Sequence, residues 1–192
     1  MARSPDVTWH AGRVPREARP SRGATVWFTG LPSSGKSTIA ALVEERLVAE
    51  QRPAYRLDGD NLRQGLNGDL GFSSEDRSEN MRRAGQVAAL FADAGVVALV
   101  SLVSPFAADR DRARQAHERA RLPFAEVYVS TPPEECQRRD PKGLWARARA
   151  GEIKGFTGVD DPYEPPARPE LILGPELSPE AAAGEVLRWI PQ

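Results

Sequence analysis

The sequence predicts an α/β fold in which a parallel β-sheet carries helices on both of its faces. Strand-like and helix-like segments alternate from Ala24 onward, which is the pattern of repeated βα units. Residues 96–103, VVALVSLV, form a near-continuous apolar run, as expected for a strand that is buried on both faces. Residues 36–50 and 74–94 instead place apolar side chains at helical spacing. These segments indicate one domain built around a central sheet.

The individual elements follow from local patterns along the chain. The predicted strands are residues 24–29, 54–57, 96–103, 124–130 and 167–173, and the predicted helices are residues 36–50, 74–94, 108–121, 133–139 and 178–190. Ser73 or Ser74 is the expected N-cap of the long helix, and Gly95 is its expected stop. Residues 1–23 are rich in arginine and proline, so they are predicted to form an arm before a single domain at 24–192.

The charge and composition of the chain argue against several classes of binding partner and site. The net charge of −1 provides no basic field for nucleic acid. No apolar run approaches the ~20 residues of a membrane-spanning helix, so no membrane partner is expected. A single cysteine, Cys136, argues against a disulfide framework and is typical of a reducing cytoplasm, which is the predicted location. His10 and His117 are far apart in sequence, which argues against a zinc cluster.

A phosphate-binding loop follows the first predicted strand. Residues 30–37, GLPSSGKS, match the pattern G-x-x-x-x-G-K-[ST] in full, between a strand and a helix. Loop amides can donate to phosphate oxygens, while Lys36 and Ser37 are expected to contact the β- and γ-phosphates and Mg²⁺. The pattern predicts a three-layer P-loop NTPase fold with ATP and Mg²⁺ as cofactors. The predicted ATP-binding residues here are Gly30, Leu31, Pro32, Ser33, Ser34, Gly35, Lys36, Ser37 and Thr38.

Two carboxylates, Asp58 and Asp60, follow the second predicted strand in the segment LDGDNLR. Because parallel strands end at one edge of a sheet, this pair is expected beside the phosphate loop, where a phosphoryl acceptor would bind. The chain lacks the N-K-x-D string typical of GTPases. The apolar strand at 96–103 ends without the acidic residue typical of motor ATPases. The arrangement therefore favours a kinase that acts on a small molecule.

Longer motifs resemble one family of P-loop kinases. The segments GLPSSGKST, LDGDNLRQGLNGDLGFSSEDRSENMRR, SLVSPF and RDPKGLWARARAGEIKGFTGVDDPYE occur in this order and resemble the adenylylsulfate kinase family. The resemblance extends from Val7 to about Leu173. It implies transfer of the ATP γ-phosphate to the 3′-hydroxyl of adenosine 5′-phosphosulfate, a step in sulfate assimilation. It also implies a homodimer and a mobile lid at about residues 141–158.

The resemblance also implies an acceptor site. Phe72 and Phe156 would stack on the two faces of the adenine, and stacking is worth ~1–3 kcal/mol per base. Arg147, in the lid, is implied to contact ATP. All lysines of the chain fall in the phosphate loop or in the lid. The implied acceptor residues are Asp60, Arg63, Phe72, Arg77, Asn80, Val103, Ser104, Lys142 and Phe156.

The predicted catalytic residues are Lys36, Asp58, Asp60 and Ser104. Asp60 is assigned to orienting or deprotonating the hydroxyl and Asp58, with Ser37, to the metal, but the sequence allows the two carboxylates to exchange these roles. In the family, the serine that matches Ser104 is treated as a possible phosphoserine. No base is evident beside Ser104 to activate its hydroxyl, so it is predicted to contact the acceptor without a covalent role.

Two positions depart from the family pattern and keep other functions open. Ala107 stands where an arginine is common, which is expected to weaken one contact to the acceptor's anionic groups, and Trp145 stands where a tyrosine is usual. The alternatives are another small-metabolite P-loop kinase, a specialised paralogue, or an ATP-binding module without turnover. The pair Phe72 and Phe156 argues against the first alternative. The intact phosphate loop with Asp60 argues against the last.

Overall fold

The architecture is a parallel sheet flanked by helices, seen in a computed structural model that describes residues 6, 8, 10 and 12–192. The strands are β1 (Ala24–Thr29), β2 (Ala54–Asp58), β3 (Val97–Ser101), β4 (Phe124–Val129) and β5 (Leu171–Leu173). The helices are α1 (Lys36–Ala49), α2 (Gly59–Arg63), α3 (Ser74–Asp93), α4 (Ala107–Arg119), α5 (Pro133–Arg139), α6 (Leu144–Arg149) and α7 (Pro179–Trp189).

The strands of the sheet run parallel in the order β2-β3-β1-β4-β5. β1 is central, with Ala24 in register with Val97 of β3 and Thr25 in register with Phe124 of β4. The carboxyl ends of the strands therefore meet at one edge, where the following loops can combine into one site. The predicted fold class is confirmed.

The sheet separates two apolar cores because successive side chains of a strand point to opposite faces. Val26 and Phe28 of β1 pack with α1 and α7 on one face, whereas Trp27 packs with α3 and α4 on the other. All three side chains are fully buried. The predicted apolar face of α3 is buried in the second core. Helices therefore cover both faces of the sheet.

Three elements differ from the predictions. β3 ends at Ser101 instead of residue 103, because the chain leaves the sheet toward Ser104, whose backbone is left-handed with φ 45°. β5 is shorter than predicted because it pairs only with the end of β4 at the sheet edge. The short helix α2 after β2 was not among the predicted helices, and Asp58 caps it by accepting a hydrogen bond from the Asp60 amide at 3.1 Å.

The predicted ends of α3 are confirmed, and α7 begins with the same kind of cap. Ser73 caps α3 by accepting from the Asp76 amide at 3.1 Å, and Ser178 caps α7 by accepting from the Ala181 amide at 3.2 Å. Gly95 follows α3 with φ 90°, a left-handed conformation that favours glycine. Within the described part of the chain, no helix combines the length and the apolarity that a bilayer crossing requires.

The second half of the predicted arm docks at the amino edge of the sheet. Residues 1–5, 7, 9 and 11 of the arm lie outside the described residues. The Arg16 guanidinium donates to the Asp93 carboxylate at 2.6 Å and to the Ala120 carbonyl at 3.1 Å. These bonds tie a short 3-10 helix, Arg16–Ala18, to the ends of α3 and α4. Residues Arg16–Ala18 of the arm therefore lie away from the strand ends that carry the motifs.

A buried ion pair fastens the loop after β3 to the sheet. Arg110 of α4 donates through Nε to Glu126 of β4 at 2.6 Å, and their side chains are 2% and 8% exposed. The terminal guanidinium nitrogens donate to the carbonyls of Ser104 at 2.6 Å and Glu164 at 2.7 Å. Arg110 therefore holds together the sheet, the turn at Ser104 and the segment that follows the predicted lid.

Replacing Arg110 with methionine is expected to lower the free energy of unfolding by about 3–5 kcal/mol, because Glu126 is left buried without its closest partner. The matched control is Arg138→Met, since the Arg138 side chain is 79% exposed and pairs with Glu135 at the surface. An exposed pair is worth about 1 kcal/mol or less. Urea unfolding of both variants measures the difference. Equally small losses would mean that Arg110 does not anchor the turn.

Candidate active site

A cavity of about 1060 Å³ opens at the carboxyl edge of the sheet. Segments at the end of every strand contribute to its wall, from the phosphate loop behind β1 to Gly174 behind β5. The structure thus brings most of the predicted nucleotide and acceptor residues to one place. The predicted residues that line it are Pro32, Ser33, Ser34, Gly35, Lys36, Ser37, Thr38, Asp58, Asp60, Arg63, Phe72, Arg77, Asn80, Val103, Ser104, Lys142 and Phe156.

The glycine positions of the phosphate loop are required by its backbone. Gly30 and Gly35 have φ 149° and 108°, in the region that favours glycine. A Cβ on Gly30 would also lie 2.6 Å from the Val129 carbonyl oxygen. Thr131 donates to the Ser34 carbonyl at 2.8 Å, which braces the loop against the end of β4. The loop is therefore fixed on both sides, as a preformed phosphate cradle requires.

The Lys36 ammonium is buried within this loop. It donates to the carbonyls of Gly30 at 2.9 Å and Leu31 at 2.7 Å. Burial lowers the pKa of Lys36 from 10.5 to about 8, and the nearby Cys136 and Asp58 raise it by smaller amounts. Carbonyl oxygens offset only part of the ammonium charge. A bound triphosphate supplies the missing negative charge and favours the protonated lysine.

Three oxygen atoms converge where Mg²⁺ is predicted. The Ser37 hydroxyl donates to Asp58 Oδ2 at 2.7 Å and lies 3.0 Å from the Ser101 hydroxyl. Mg²⁺ prefers oxygen ligands and is usually held by one or two protein groups together with waters and substrate phosphates. In the described part of the chain, no cluster of three or more His, Cys, Asp or Glu side chains could form a closed metal site. The residues present therefore fit a metal that is held mainly by the nucleotide.

The two aspartates of the LDGDNLR segment have different surroundings. The Asp60 carboxylate pairs with the Lys142 ammonium of the lid, and both side chains are largely exposed. Hydrogen bonding to Asp60 raises the pKa of Lys142. Asp58 instead contacts Ser37 and caps α2. Asp58 therefore faces the phosphate loop, whereas Asp60 faces the lid.

Phe72 and Phe156 line the same cavity in different environments. Phe72 is 71% exposed, and the Arg63 guanidinium lies 4.4 Å from its ring centroid. Phe156 is buried and packs edge-on against Trp145, with 5.2 Å between the ring centroids. Trp145 in turn donates its indole N–H to the Pro32 carbonyl at 3.1 Å. The tryptophan that departs from the family pattern thus joins the lid to the phosphate loop.

Arg77 is bound by the segment at the end of the lid. Its guanidinium donates to the Asp161 carboxylate at 2.5 Å, to the Thr157 hydroxyl at 3.1 Å and to the Gly155 carbonyl. It also donates to the Phe72 carbonyl at 3.0 Å, which fixes the loop that carries this ring. Arg77, which is predicted to hold the acceptor, is thus paired in this structure with a carboxylate of the protein.

Ser104 lies buried in a polar network at the cavity wall. Its hydroxyl accepts from the Trp27 indole N–H at 3.2 Å and donates to the Leu102 carbonyl at 3.4 Å. Its carbonyl accepts from the Thr29 hydroxyl at 3.3 Å and from Arg110. Among the residues that the structure describes, no histidine, lysine or carboxylate hydrogen-bonds to the Ser104 hydroxyl.

Three predicted residues do not line the main cavity. Gly30 and Leu31 contribute carbonyls to Lys36, and Leu31 borders a smaller cavity of about 580 Å³. Arg147 pairs with Glu152 at 3.2 Å on the exposed surface of the lid. Contact of Arg147 with ATP stays a prediction.

Sequence reasoning missed several residues of the cavity wall, among them two polar residues that contact the phosphate loop. Arg139, at the end of α5, donates to the Ser34 carbonyl at 3.3 Å, and Ser101 contacts Ser37. Arg139 opens the motif RDPKGLW and Ser101 opens the motif SLVSPF. Their places in motifs that resemble the family were the available signal, because neither residue stands out by type alone.

Comparison with known proteins decides the family. The sequence model of adenylylsulphate kinase matches residues 22–174. The chain belongs to the adenylylsulphate kinase family. The bifunctional enzyme CysN/CysC of Mycobacterium tuberculosis is 53% identical over 184 residues, which make up 96% of this chain and 30% of that protein. The adenylyl-sulfate kinase of Penicillium chrysogenum is 50% identical over 199 residues, covering 97% of this chain and 94% of that protein.

A solved structure of the adenylylsulphate kinase family shares the architecture. The Mycobacterium tuberculosis APS kinase CysC in complex with AMPPNP and APS matches this chain with a TM-score of 0.87 at 55% identity. The match covers 88% of this chain and 98% of the other. The P-loop kinase fold predicted from the phosphate loop and the strand pattern is confirmed.

Raising the pH through about 8 is expected to weaken nucleotide binding, because Lys36 loses its charge near that pH. Above the pKa, the affinity should fall by up to about tenfold per pH unit. Loss of the Lys36 charge has the opposite effect on the stability of the protein without nucleotide. A buried lysine with a lowered pKa destabilises the fold while it is charged, so its contribution to stability improves as the pH rises from about 8 toward 10.5. Titration with a fluorescent ATP analogue and Mg²⁺ measures the binding step.

Two variants separate Lys36 from other groups that titrate. Lys36→Ala should bind the analogue weakly and show no step near pH 8. Lys142→Ala should keep the step, because Lys142 is largely exposed and its pKa is raised. A step that survives in Lys36→Ala would show that another group controls nucleotide affinity.

Proposed function

We propose that this chain is an adenylylsulfate kinase, which transfers the γ-phosphate of ATP to the 3′-hydroxyl of adenosine 5′-phosphosulfate and gives 3′-phosphoadenosine 5′-phosphosulfate. The observation that carries the proposal is one cavity with a phosphate loop on one side and an arginine and aromatic acceptor half on the other. The family match supports the same reaction. The Mycobacterium tuberculosis complex with AMPPNP and APS supports the same pair of substrates.

ATP lies along the phosphate loop in this proposal. The loop amides and Lys36 hold the β- and γ-phosphates, as backbone donors and a mobile lysine do in P-loop kinases. Ser37 and Asp58, whose side chains are joined by a hydrogen bond, would hold Mg²⁺ beside these phosphates. Mg²⁺, when bound, offsets the charge that develops on the phosphates. Arg139 adds positive charge beside the same loop.

The acceptor lies in the half of the cavity that Phe72 and Phe156 border. The two rings take the adenine, while Arg63 and Arg77 take the anionic phosphosulfate, since guanidinium groups bind such oxygens in pairs. Arg77 then exchanges the Asp161 carboxylate for the acceptor. Binding of the acceptor and closure of the lid therefore use the same guanidinium. The remaining proposed contacts are Asp60, Asn80, Val103, Ser104 and Lys142.

The reaction is an in-line displacement at the γ-phosphorus. The 3′-hydroxyl oxygen forms a bond to phosphorus, the bond from phosphorus to the bridging oxygen breaks, and ADP leaves. Asp60 orients the hydroxyl and accepts its proton. Its position at the cavity wall, opposite the phosphate loop residues Lys36 and Ser37, supports this role. Lys36 and Lys142 offset the charge in transfer.

Release of ADP from Mg-ATP is expected to rise strongly with adenosine 5′-phosphosulfate and not with sugars or nucleoside monophosphates. Asp60→Asn should lower kcat by about 100-fold or more, the effect of losing a positioned base. The matched control is Asp93→Asn, whose carboxylate pairs with Arg16 at the amino edge and which should turn over near the wild-type rate. A coupled ADP assay measures all three proteins.

Each other outcome of this assay selects a different function. Stimulation by a sugar or a nucleoside monophosphate would identify another small-metabolite kinase or a specialised paralogue. ATP binding without stimulation by any acceptor would identify a binding module. Turnover of Asp60→Asn within a few-fold of wild type would remove Asp60 from proton transfer while leaving the kinase assignment intact.

Incubation with Mg-ATP alone is expected to leave Ser104 unphosphorylated. Its hydroxyl is buried between the Trp27 indole and the Leu102 carbonyl, and neither group can remove its proton. Peptide mass spectrometry measures the modification, with Lys36→Ala as the control for phosphate attached by other means. A phosphoserine at this position that passes its phosphate to the acceptor would contradict the direct transfer proposed above.

The domain limits, the assembly and the location are proposals from the family resemblance. Residues 24–192 form the kinase domain, and about 141–158 its mobile lid. The contacts of Lys142 with Asp60 and of Trp145 with Pro32 support a lid that covers the cavity. A cytoplasmic homodimer is proposed for the whole chain, and sedimentation velocity measures its oligomeric state.

A further inference from the structure

Two asparagines are joined by a hydrogen bond beside the acceptor half of the cavity. Asn67, in the loop after α2, donates from Nδ2 to Asn80 Oδ1 at 2.9 Å. Asn67 is fully buried, and Asn80 is 6% exposed. Asn80 lines the cavity near Phe72 and Arg77, whereas Asn67 does not reach it. Asn67 therefore touches the site only through Asn80.

This bond fixes which end of the Asn80 amide faces the cavity. A side-chain amide has an oxygen that accepts and a nitrogen that donates two hydrogens. The oxygen of Asn80 is occupied by Asn67. In the described part of the chain, no protein group accepts from Asn80 Nδ2. The NH₂ group is thus the part of Asn80 that remains for a ligand.

The chemistry of the proposed acceptor requires that orientation. The charged phosphosulfate oxygens can only accept hydrogen bonds, so they bind N–H donors and are repelled by a carbonyl oxygen. Arg63 and Arg77 line the same part of the wall, so the ligand there is expected to be anionic. A reversed amide would turn an oxygen toward that anion.

The side chain of Asn67 is not needed to shape its own loop. The Asn67 amide donates to the Leu62 carbonyl at 2.8 Å, and its carbonyl accepts from the Leu70 amide at 3.1 Å. Both bonds belong to the backbone and would form with any side chain. Among the described residues, the buried Asn67 Oδ1 has no hydrogen-bond partner. A leucine of similar size would avoid this unsatisfied atom but would leave Asn80 Oδ1 without its donor, so the contribution of the Asn67 side chain lies in its bond to Asn80.

We propose that Asn67 is a positioning residue that holds the Asn80 amide with its NH₂ directed at the anionic and hydroxyl groups of the acceptor. The proposal rests on the acceptor site described under the proposed function. It assigns Asn67 to acceptor affinity and not to nucleotide binding, although the residue contacts neither substrate.

Asn67→Asp tests the orientation directly. The new carboxylate matches asparagine in size and can accept from Asn80 but cannot donate to it, so Asn80 turns and presents its oxygen to the acceptor. The KM for adenosine 5′-phosphosulfate is expected to rise about ten- to hundredfold, the effect of losing one hydrogen bond to a charged group. The KM for ATP should stay unchanged. Asn61→Asp is the matched control, because it adds the same charge at an exposed position of α2 outside the cavity wall.

A second set of variants keeps the test decisive if Asn67→Asp is unstable. Asn67→Leu, Asn80→Ala and the double variant form a cycle. If Asn67 acts through Asn80, Asn67→Leu raises the acceptor KM in the wild-type background and has no further effect in the Asn80→Ala background. Equal effects in both backgrounds, or a matching rise in the KM for ATP, would show a merely structural role and overturn the proposal.

Measurements on the wild-type protein distinguish a failure of the proposed function from a failure of the positioning role of Asn67. If it shows no turnover that depends on adenosine 5′-phosphosulfate, the proposed function fails before the variants are compared. If wild-type turnover is normal and the acceptor KM of Asn67→Asp is unchanged, the kinase assignment stands and the positioning role of Asn67 is wrong.

Discussion

Parallel strands that are buried on both faces leave little room for polar side chains along their length, so the chemistry of this molecule is concentrated where the strands end. Every residue of β1 and of β3 is buried. The phosphate loop begins directly after β1, and β3 ends on Ser101, which contacts Ser37 of that loop. Because all strands point the same way, the proposed metal ligands, the phosphate cradle and the proposed acceptor wall share one edge.

Several positively charged side chains lie at the same edge, and their hydrogen-bond partners in this structure are oxygen atoms of the protein itself. Lys36 donates to loop carbonyls, Arg77 to the Asp161 carboxylate, and Lys142 to Asp60. A ligand that binds to these groups therefore replaces hydrogen bonds that they already make within the protein. Such an exchange favours a ligand that presents several anionic groups at once, because a single anion replaces only one of the internal contacts. The arrangement thus selects for substrates rich in phosphate or sulfate.

The fold and the phosphate loop could be predicted because their signals are local. Strand alternation, the cap Ser73 and the loop motif each lie within a few residues of sequence. Contacts between distant residues could not be predicted this way. Arg77 meets Asp161 across 84 positions, and the end of β3 depends on the turn at Ser104, which Arg110 holds from another helix. Pairs such as Asn67 and Asn80 also need coordinates, because either residue alone resembles an ordinary loop or helix asparagine.

The position of Trp145 bears on the fluorescence of the protein. Its indole lies between the lid and the phosphate loop, hydrogen-bonded to the Pro32 carbonyl and in edge contact with Phe156. Indole emission depends on burial and on the group that its N–H meets, so movement of the lid changes the fluorescence of the unmodified protein. Trp27 and Trp189 instead pack in or against the apolar cores of the sheet. Trp145 therefore gives the unmodified protein an optical signal for the lid movement proposed above.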